Sequence, residues 1–362
     1  MKSNQSSLRL VLKKLTSNKL SAIALIIIIL FLLTAIFSYQ IMPDKTPLAN
    51  SIELSIAKKK PGFKANYLLF KKNIVQKKDL KNIFFGQVNN YEEVLINDYK
   101  LIKDTMYYQS YTLNAEFQKV HVSNLYSHKF KNGVKEKTFI LGTDKYGRDL
   151  LSRIILGTRV SFSVGFISVF ISIIIGLFLG VTAGYYGGKV DLFICWLINV
   201  VWSIPTLLLV IAISIVLGKG FWQVFIAVGL TMWVEVARVA RGEVLKVSQL
   251  PYIEAIKSFG LNDVSVMFKH ILPNILNPII IISAANFATS ILLESGLSFL
   301  GIGVQPPVPS WGMIIKNHYG FIVMEKAYLS LLPGLCIVLL VCSFMLLANG
   351  LRDALDSKLK ND

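Results

Sequence analysis

Four polar residues, Ser283, Asn286, Ser290 and Glu294, stand three, four and four positions apart in an otherwise apolar run. At 3.6 residues per helical turn, that spacing gathers them on one face. A carboxylate facing hydrocarbon is costly. Glu294 is therefore expected to look into a helix bundle, a water-filled cavity or a cationic partner, or to sit as a solvated helix end at a membrane boundary. In a functional role the stripe would line a solute pathway or its outer gate. A second polar constellation, residues 254–273, is stranded between two apolar runs and carries Glu254, Lys257, Asp263, Lys269 and His270.

Neither constellation suggests bond chemistry. The chain has no Gly-x-x-x-x-Gly-Lys-Ser/Thr phosphate loop, so ATP driving it would be hydrolysed on another polypeptide. His121, His128, His270 and His318 lack metal-site spacing. Cys195, Cys336 and Cys342 fall inside apolar runs, where thiols behave as small apolar groups and imply no disulfide framework. No catalytic residue, metal or cofactor is expected on this chain. Glu235 precedes Arg238 by three residues, a spacing suited to a local ion pair.

The elements that must position these residues follow from hydropathy. With 54% hydrophobic and 16% charged residues, the chain is too apolar for an ordinary soluble domain. Six runs are long enough to cross a bilayer: Leu20 to Met42, Val160 to Ala183, Leu192 to Leu217, Phe221 to Val239, Ile279 to Leu300 and Leu329 to Leu351. The first is read as a retained anchor, since its apolar stretch exceeds a signal-peptide core and no small-x-small cleavage site follows. Within the third, Asn199, Ser203 and Pro205 mark a kink that bundle packing explains. Lys and Arg in the short loops concentrate on the N-terminal side, which predicts both termini cytoplasmic.

The expected organisation has three parts. Residues 1–42 hold the cytoplasmic N-terminus and first span, 43–140 an extracytoplasmic insertion, and 141–362 a core with five spans and a cytoplasmic loop at 240–278. In the insertion, Glu93–Asn97 and Thr105–Asn114 alternate with period two and are rich in aromatics, which predicts a small β-rich cap. That cap could dock a solute-binding lipoprotein or be a filler domain. The net charge of +17 comes largely from this region and reads as a solvated face, which disfavours nucleic acid as a partner. Leu150, Leu151, Ile154 and Ile155 predict an amphipathic helix on the outer membrane surface, with Arg148, Arg153 and Arg159 on its other faces.

The 240–278 loop predicts a helical hairpin. Ile253, Ile256 and Phe259 recur at helical spacing, Gly260 can stop the helix with positive φ, and Asn262 or Asp263 can cap a second helix through Lys269. Pro273 and Pro278 are expected to interrupt that helix before span five.

Glu254, Ala255, Gly260, Leu272 and Pro273 fall on the positions of the EAA loop, and the stretch resembles that loop in permease subunits of ATP-binding-cassette importers. Ile256 stands where the general signature has a second Ala. Five further segments look like the second, C-type permease of oligopeptide, dipeptide and nickel importers: Leu141–Asp149, Gly184–Gly188, Ser203–Pro205, Leu297–Gly301 and Pro309–Gly312. The resemblance implies an all-α membrane protein with six transmembrane helices of the type I importer kind. It implies a loop comprising Glu254, Ala255, Gly260, His270, Leu272 and Pro273 that engages a cytoplasmic ATPase. Its partners would be a homologous permease in a heterodimer, two ATPase subunits and an extracytoplasmic binding protein, in the bacterial inner membrane. Peptide is the first choice of cargo, with nickel or another small solute as alternatives. Two other classes remain: a secondary transporter using Glu294 as a proton or ion site, and a receptor whose insertion binds ligand.

Overall fold

The computed structural model describes residues 2–72, 84–112, 115–126, 131–218 and 220–356; His128 lies outside them. Among these residues, five helices are long and apolar enough to cross a membrane. There are six if one sharply bent pair counts as a single span. They comprise α2 (Lys19–Ile36), α4 (Leu150–Tyr186), the pair α5 (Gly188–Trp202) and α6 (Thr206–Leu217), α7 (Phe221–Ser248), α10 (Leu272–Leu300) and α12 (Tyr328–Asp356). Helix α1 (Lys2–Ser17) precedes them, and a short helix α3 (Ser38–Ile41) extends the first span.

Successive long helices reverse direction, so the molecule has two distinct ends. The C-terminal end of α4 meets the 249–271 loop through the Tyr185 hydroxyl, which donates to Asp263 at 2.6 Å. The first residues of α4 meet the chain leaving α3, where the Asp44 amide donates to Ser152 Oγ at 2.9 Å. Near the start of α12, the Tyr328 hydroxyl donates to the Lys59 carbonyl at 3.0 Å. The inserted sheet therefore caps one end, and the 249–271 loop lies at the other with the ends of α1 and α12.

The closest pairing is α4 against α7. Gly176, Gly180 and Gly184 form a stripe at intervals of four, the small-residue pattern that lets two backbones approach. A Cβ at Gly180 would stand 2.4 Å from the Ala237 carbonyl, so a larger residue there must push the helices apart. A second interior cluster joins Leu150, Ile154, Trp311 and Ile314 to Ile28 and Phe344 at the sheet end. Trp311 opens helix α11 (Trp311–His318), and its indole N–H donates to the Ile154 carbonyl at 3.0 Å.

Three expectations are corrected. The third span is not a kinked rod, because α5 and α6 meet at 90°. Pro205 has no N–H and disfavours helix in the residue before it, so the chain turns at Ser203 and Ile204. No separate surface helix covers residues 150–159. The segment is the first turns of α4, and Arg148 and Arg153 are buried at 6% and 3% exposure. Finally, Pro273 and Pro278 do not interrupt the hairpin's second helix before span five: that helix passes through a π-turn over Met267–Ile271 into α10, with Pro273 in the first turn of α10 and Pro278 inside it.

The insertion forms a five-stranded antiparallel sheet of order β4-β3-β2-β1-β5. Its strands are β1 (Phe63–Lys71), β2 (Tyr91–Ile102), β3 (Thr105–Ser110), β4 (Phe117–His121) and β5 (Val134–Phe139). Period two places Ala65, Tyr67 and Leu69 on one face with Ile56, Leu95 and Phe139, and Leu68 on the other with Ile96, Met106 and Leu125. Both faces carry a small core.

Candidate functional site

The polar stripe belongs to α10 and points inward. Asn286, Ser290 and Glu294 are at most 1% exposed, and Ser283 is half-buried. The Ser283 hydroxyl donates to the Ile279 carbonyl at 2.6 Å, and that of Ser290 to the Asn286 carbonyl at 2.8 Å. Ser290 Oγ also lies 3.1 Å from the Met232 sulfur, which sets the stripe against α7. Glu294 Oε1 accepts from Ser298 at 2.6 Å. Its Oε2 and both polar side-chain atoms of Asn286 have no hydrogen-bond partner among the described residues. Of the expected placements, Glu294 takes the bundle interior, with no ion pair among the described residues, and is not a solvated helix end. Unsatisfied buried polar atoms cost roughly 1–3 kcal/mol each, so three in one seam make it a place where rearrangement can gain energy.

The 249–271 loop is built as a hairpin on the opposite end. Helix α8 (Pro251–Ser258) starts on Pro251 and buries Ile253 against Val244, Val266, Ile271 and Ile275. Gly260 turns the chain at φ +77°, a conformation that side chains with a Cβ adopt at a cost. Asn262 then caps α9 (Asp263–Val266), its side-chain oxygen accepting from the Val264 amide at 3.1 Å. A π-turn over Met267–Ile271 joins α9 directly to α10, with His270 half-buried in it and its carbonyl accepting from Asn274 at 2.6 Å. Leu272 and Pro273 begin α10 itself.

Glu254 and Ala255 are exposed on the outer face of α8, and Glu254 makes no ion pair among the described residues. Around them stand Tyr252, Phe259, Val264 and Phe268, with Phe259 83% and Phe268 64% exposed. An apolar tip beside a carboxylate on a stiff hairpin suits a protein contact. Beside it, α7, α10 and α12 enclose a cavity of about 890 Å³, with Glu243, Lys246, Asn274, Asn277 and Arg352 among its lining.

The reading of Glu235 and Arg238 as an ion pair is corrected. Arg238 instead lies 3.4 Å from the Trp202 ring centroid, a cation–π contact at the bend between α5 and α6. The nearest true pair is Asp191 with Arg241, held by two hydrogen bonds, one of 2.6 Å from Nη2. Sequence spacing could not find it, since fifty positions separate the two residues.

The segment Leu141–Asp149 also has a job that its pattern alone did not reveal. Asp144 is almost completely buried and receives Arg148 Nη2 at 2.6 Å, with Arg153 at 3.9 Å. Arg148 also donates to Asn50 at 2.8 Å, and the Lys145 amide to His318 Nε2 at 3.2 Å. Burial holds the His318 imidazole below its ordinary pKa and hence neutral. This knot ties the chain leaving the first span at Asn50, the start of α4 and helix α11 together.

Residues 160–361 match the family described as binding-protein-dependent transport system inner membrane component, and residues 6–55 match the N-terminal transmembrane domain of oligopeptide transport permease C. A glutathione transport system permease protein, GsiD, of Pectobacterium atrosepticum is 41% identical over 61% of this chain and 73% of its own. A dipeptide transport system permease protein, DppC, of Alkalihalophilus pseudofirmus is 37% identical over 61% and 72%. The solved inward-facing MetNI methionine ABC transporter aligns with 57% of this chain and 95% of its own at 20% identity, with a TM-score of 0.46. The family match over residues 160–361 and the two permease relatives lead to one conclusion: the chain belongs to the binding-protein-dependent transport system inner membrane component family, as a multi-pass permease subunit of an ABC importer.

Proposed function

We propose that this subunit forms half of a type I importer channel, paired with a homologous permease, and that it carries small peptides handed over by an extracytoplasmic binding protein. Peptide cargo is supported by the relatives named for glutathione and dipeptide transport. Both termini and the hairpin are assigned to the cytoplasm, the sheet to the outside, and ATP hydrolysis to two separate ATPase subunits. The chain itself makes and breaks no bonds.

The observation that carries the reading is the hairpin. Val264 and Phe268 of its exposed apolar tip sit on the helix that continues through the π-turn into α10 without a break, and Phe259 and Glu254 stand beside them across the Gly260 turn, so force on the hairpin would become tilt of the transmembrane rod. The cavity of about 890 Å³ beside it would be the inner mouth of the pathway. Ser283, Asn286, Ser290 and Glu294 are assigned to an outer gate, shut against α7 in this state and turned to the pathway when α10 tilts.

In the assembled importer, Gly260→Asp or Glu254→Lys is expected to abolish substrate-stimulated ATPase activity and uptake while leaving membrane insertion intact. Normal coupling in both variants would remove the hairpin's role. The gate assignment is tested separately. Glu294→Ala combined with Asn286→Leu should change transport rate or cargo range, and unaltered transport would end that assignment.

A further inference from the structure

Glu235 stands halfway along α7, roughly 20 Å from either end at about 1.5 Å per residue, so its carboxylate lies near the middle of the span. It is exposed on the single chain, and it makes no hydrogen bond or ion pair among the described residues. Arg238, one turn further on, does not neutralise it by direct contact. That guanidinium lies 3.4 Å from the Trp202 ring centroid and outside ion-pair distance of Glu235. A carboxylate facing hydrocarbon is costly, so this face of α7 must meet water, a solute or another polypeptide.

Glu235 lines a recess of about 90 Å³ where α7 and α10 meet the elbow between α5 and α6. It is the only ionisable residue in the described lining, and its hydroxyl companions there are Thr206, Thr231 and Thr289. The Thr231 hydroxyl donates to the Val228 carbonyl at 2.8 Å, and that of Thr289 to the Ala285 carbonyl at 3.2 Å. With their hydrogens spent inside their own helices, these two hydroxyls have only lone pairs left to offer. A carboxylate among acceptors suits a group that only donates, which is what an ammonium does. The recess is small against the roughly 300–1,000 Å³ of a whole-ligand site, so it takes one end of a solute. Met232, also in the lining, touches Ser290, which sets the recess beside the polar stripe of α10.

We propose that Glu235 is the counter-ion for the cargo inside the channel: its carboxylate receives the primary ammonium of a passing peptide, with Thr231 and Thr289 as neutral acceptors. The rest of the solute extends into the space between this chain and its paired permease. The assignment rests on the peptide-importer reading and adds to it the group of the cargo that this chain recognises. A basic residue of the paired permease is the competing occupant. The recess favours a solute, because its acceptors come from three elements of this one chain.

The test uses the assembled complex of permeases and ATPases in lipid nanodiscs, with radiolabelled L-alanyl-L-alanine as the probe. The binding protein is left out, so that any selectivity belongs to the channel. The dipeptide is expected to bind, and Nα-acetyl-L-alanyl-L-alanine, which lacks the ammonium, to compete at least about tenfold more weakly. Glu235→Gln keeps the size and removes the charge. It should raise the dipeptide Kd about tenfold or more and erase the difference between the two probes. Glu235→Asp should keep the preference for the free amine, and Thr289→Val should weaken dipeptide binding about threefold without changing the acetylated probe. Equal competition by the acetylated probe, or an unaltered Kd in Glu235→Gln, would overturn the proposal and leave the peptide reading standing. So would a complex that binds no dipeptide yet imports it once the binding protein is restored. Separation of the two permeases in Glu235→Gln would assign the carboxylate to subunit pairing and overturn it as well. A wild-type complex that neither binds nor imports the dipeptide would bring down the peptide reading and this proposal with it.

Discussion

The two ends of this molecule are built on different principles. At the sheet end, Asp144, Arg148, Arg153, Asn50, Lys145 and His318 interlock distant segments by buried, charge-assisted hydrogen bonds. At the loop end, Tyr185 to Asp263 and Asn274 to Tyr252 are exposed cross-links, the Asp191–Arg241 pair is only part-buried, and large apolar side chains face outward. One end is locked to itself; the other presents apolar surface. Under the proposed coupling role, a subunit that receives force at one face and keeps its other face assembled needs this asymmetry.

The contrast can be broken from the locked end first. Arg148→Ala strands the Asp144 carboxylate, whose side chain is 1% exposed, and should cost about 3–5 kcal/mol, read as a lowered unfolding midpoint of the purified chain. Gly180→Leu forces a side chain where a Cβ already meets the Ala237 carbonyl at 2.4 Å. A loss of about 1–3 kcal/mol is expected, and an unchanged melting curve would show that α4 and α7 are not tightly apposed.

Phe259→Ala and Phe268→Ala remove apolar surface that touches little in the isolated chain. Stability should shift by no more than about 0.5 kcal/mol while ATPase coupling in the assembly falls. A matching loss of stability would mean that the tip is structural after all.

The smallest effect is one of pH. Burial alone would raise the Glu93 pKa, but Lys137 and Lys135 together hold it below the ordinary carboxylate range. A depressed folded pKa stabilises fully above the unfolded value of about 4.3 and loses that contribution as pH falls through the folded one. Acid below that unfolded value should thus lower hydrogen-exchange protection in β1, β2 and β5 before it affects the hairpin. Glu93→Gln should flatten this dependence.

Much of the membrane-embedded part could be read from hydropathy, because twenty apolar residues in a row admit few other structures. The hairpin was legible through Gly260 and Asn262, whose turn and cap roles are local. What spacing could not supply was anything made by distant segments meeting. Arg148 and Arg153 looked like surface charges because their partner Asp144, caged by residues from the insertion, is visible only in three dimensions. Pro205 was recognised as a disturbance, but not how large a one, since the angle depends on what each half packs against. Pro278 misled in the opposite direction, its helix being held straight through by its neighbours. The alternation of Glu93–Asn97 correctly suggested a strand, while strand order and register required contacts across the whole insertion.

The right-angled elbow at Ser203 and Ile204 has a consequence for assembly. Irregular backbone at membrane depth persists only where protein or water covers it, and flanking Trp202 and Leu208 are both 58% exposed in the single chain. With the elbow at membrane depth, a solitary copy dispersed in lipid would leave that corner facing oil, and the homologous permease proposed above is the polypeptide that would shelter it.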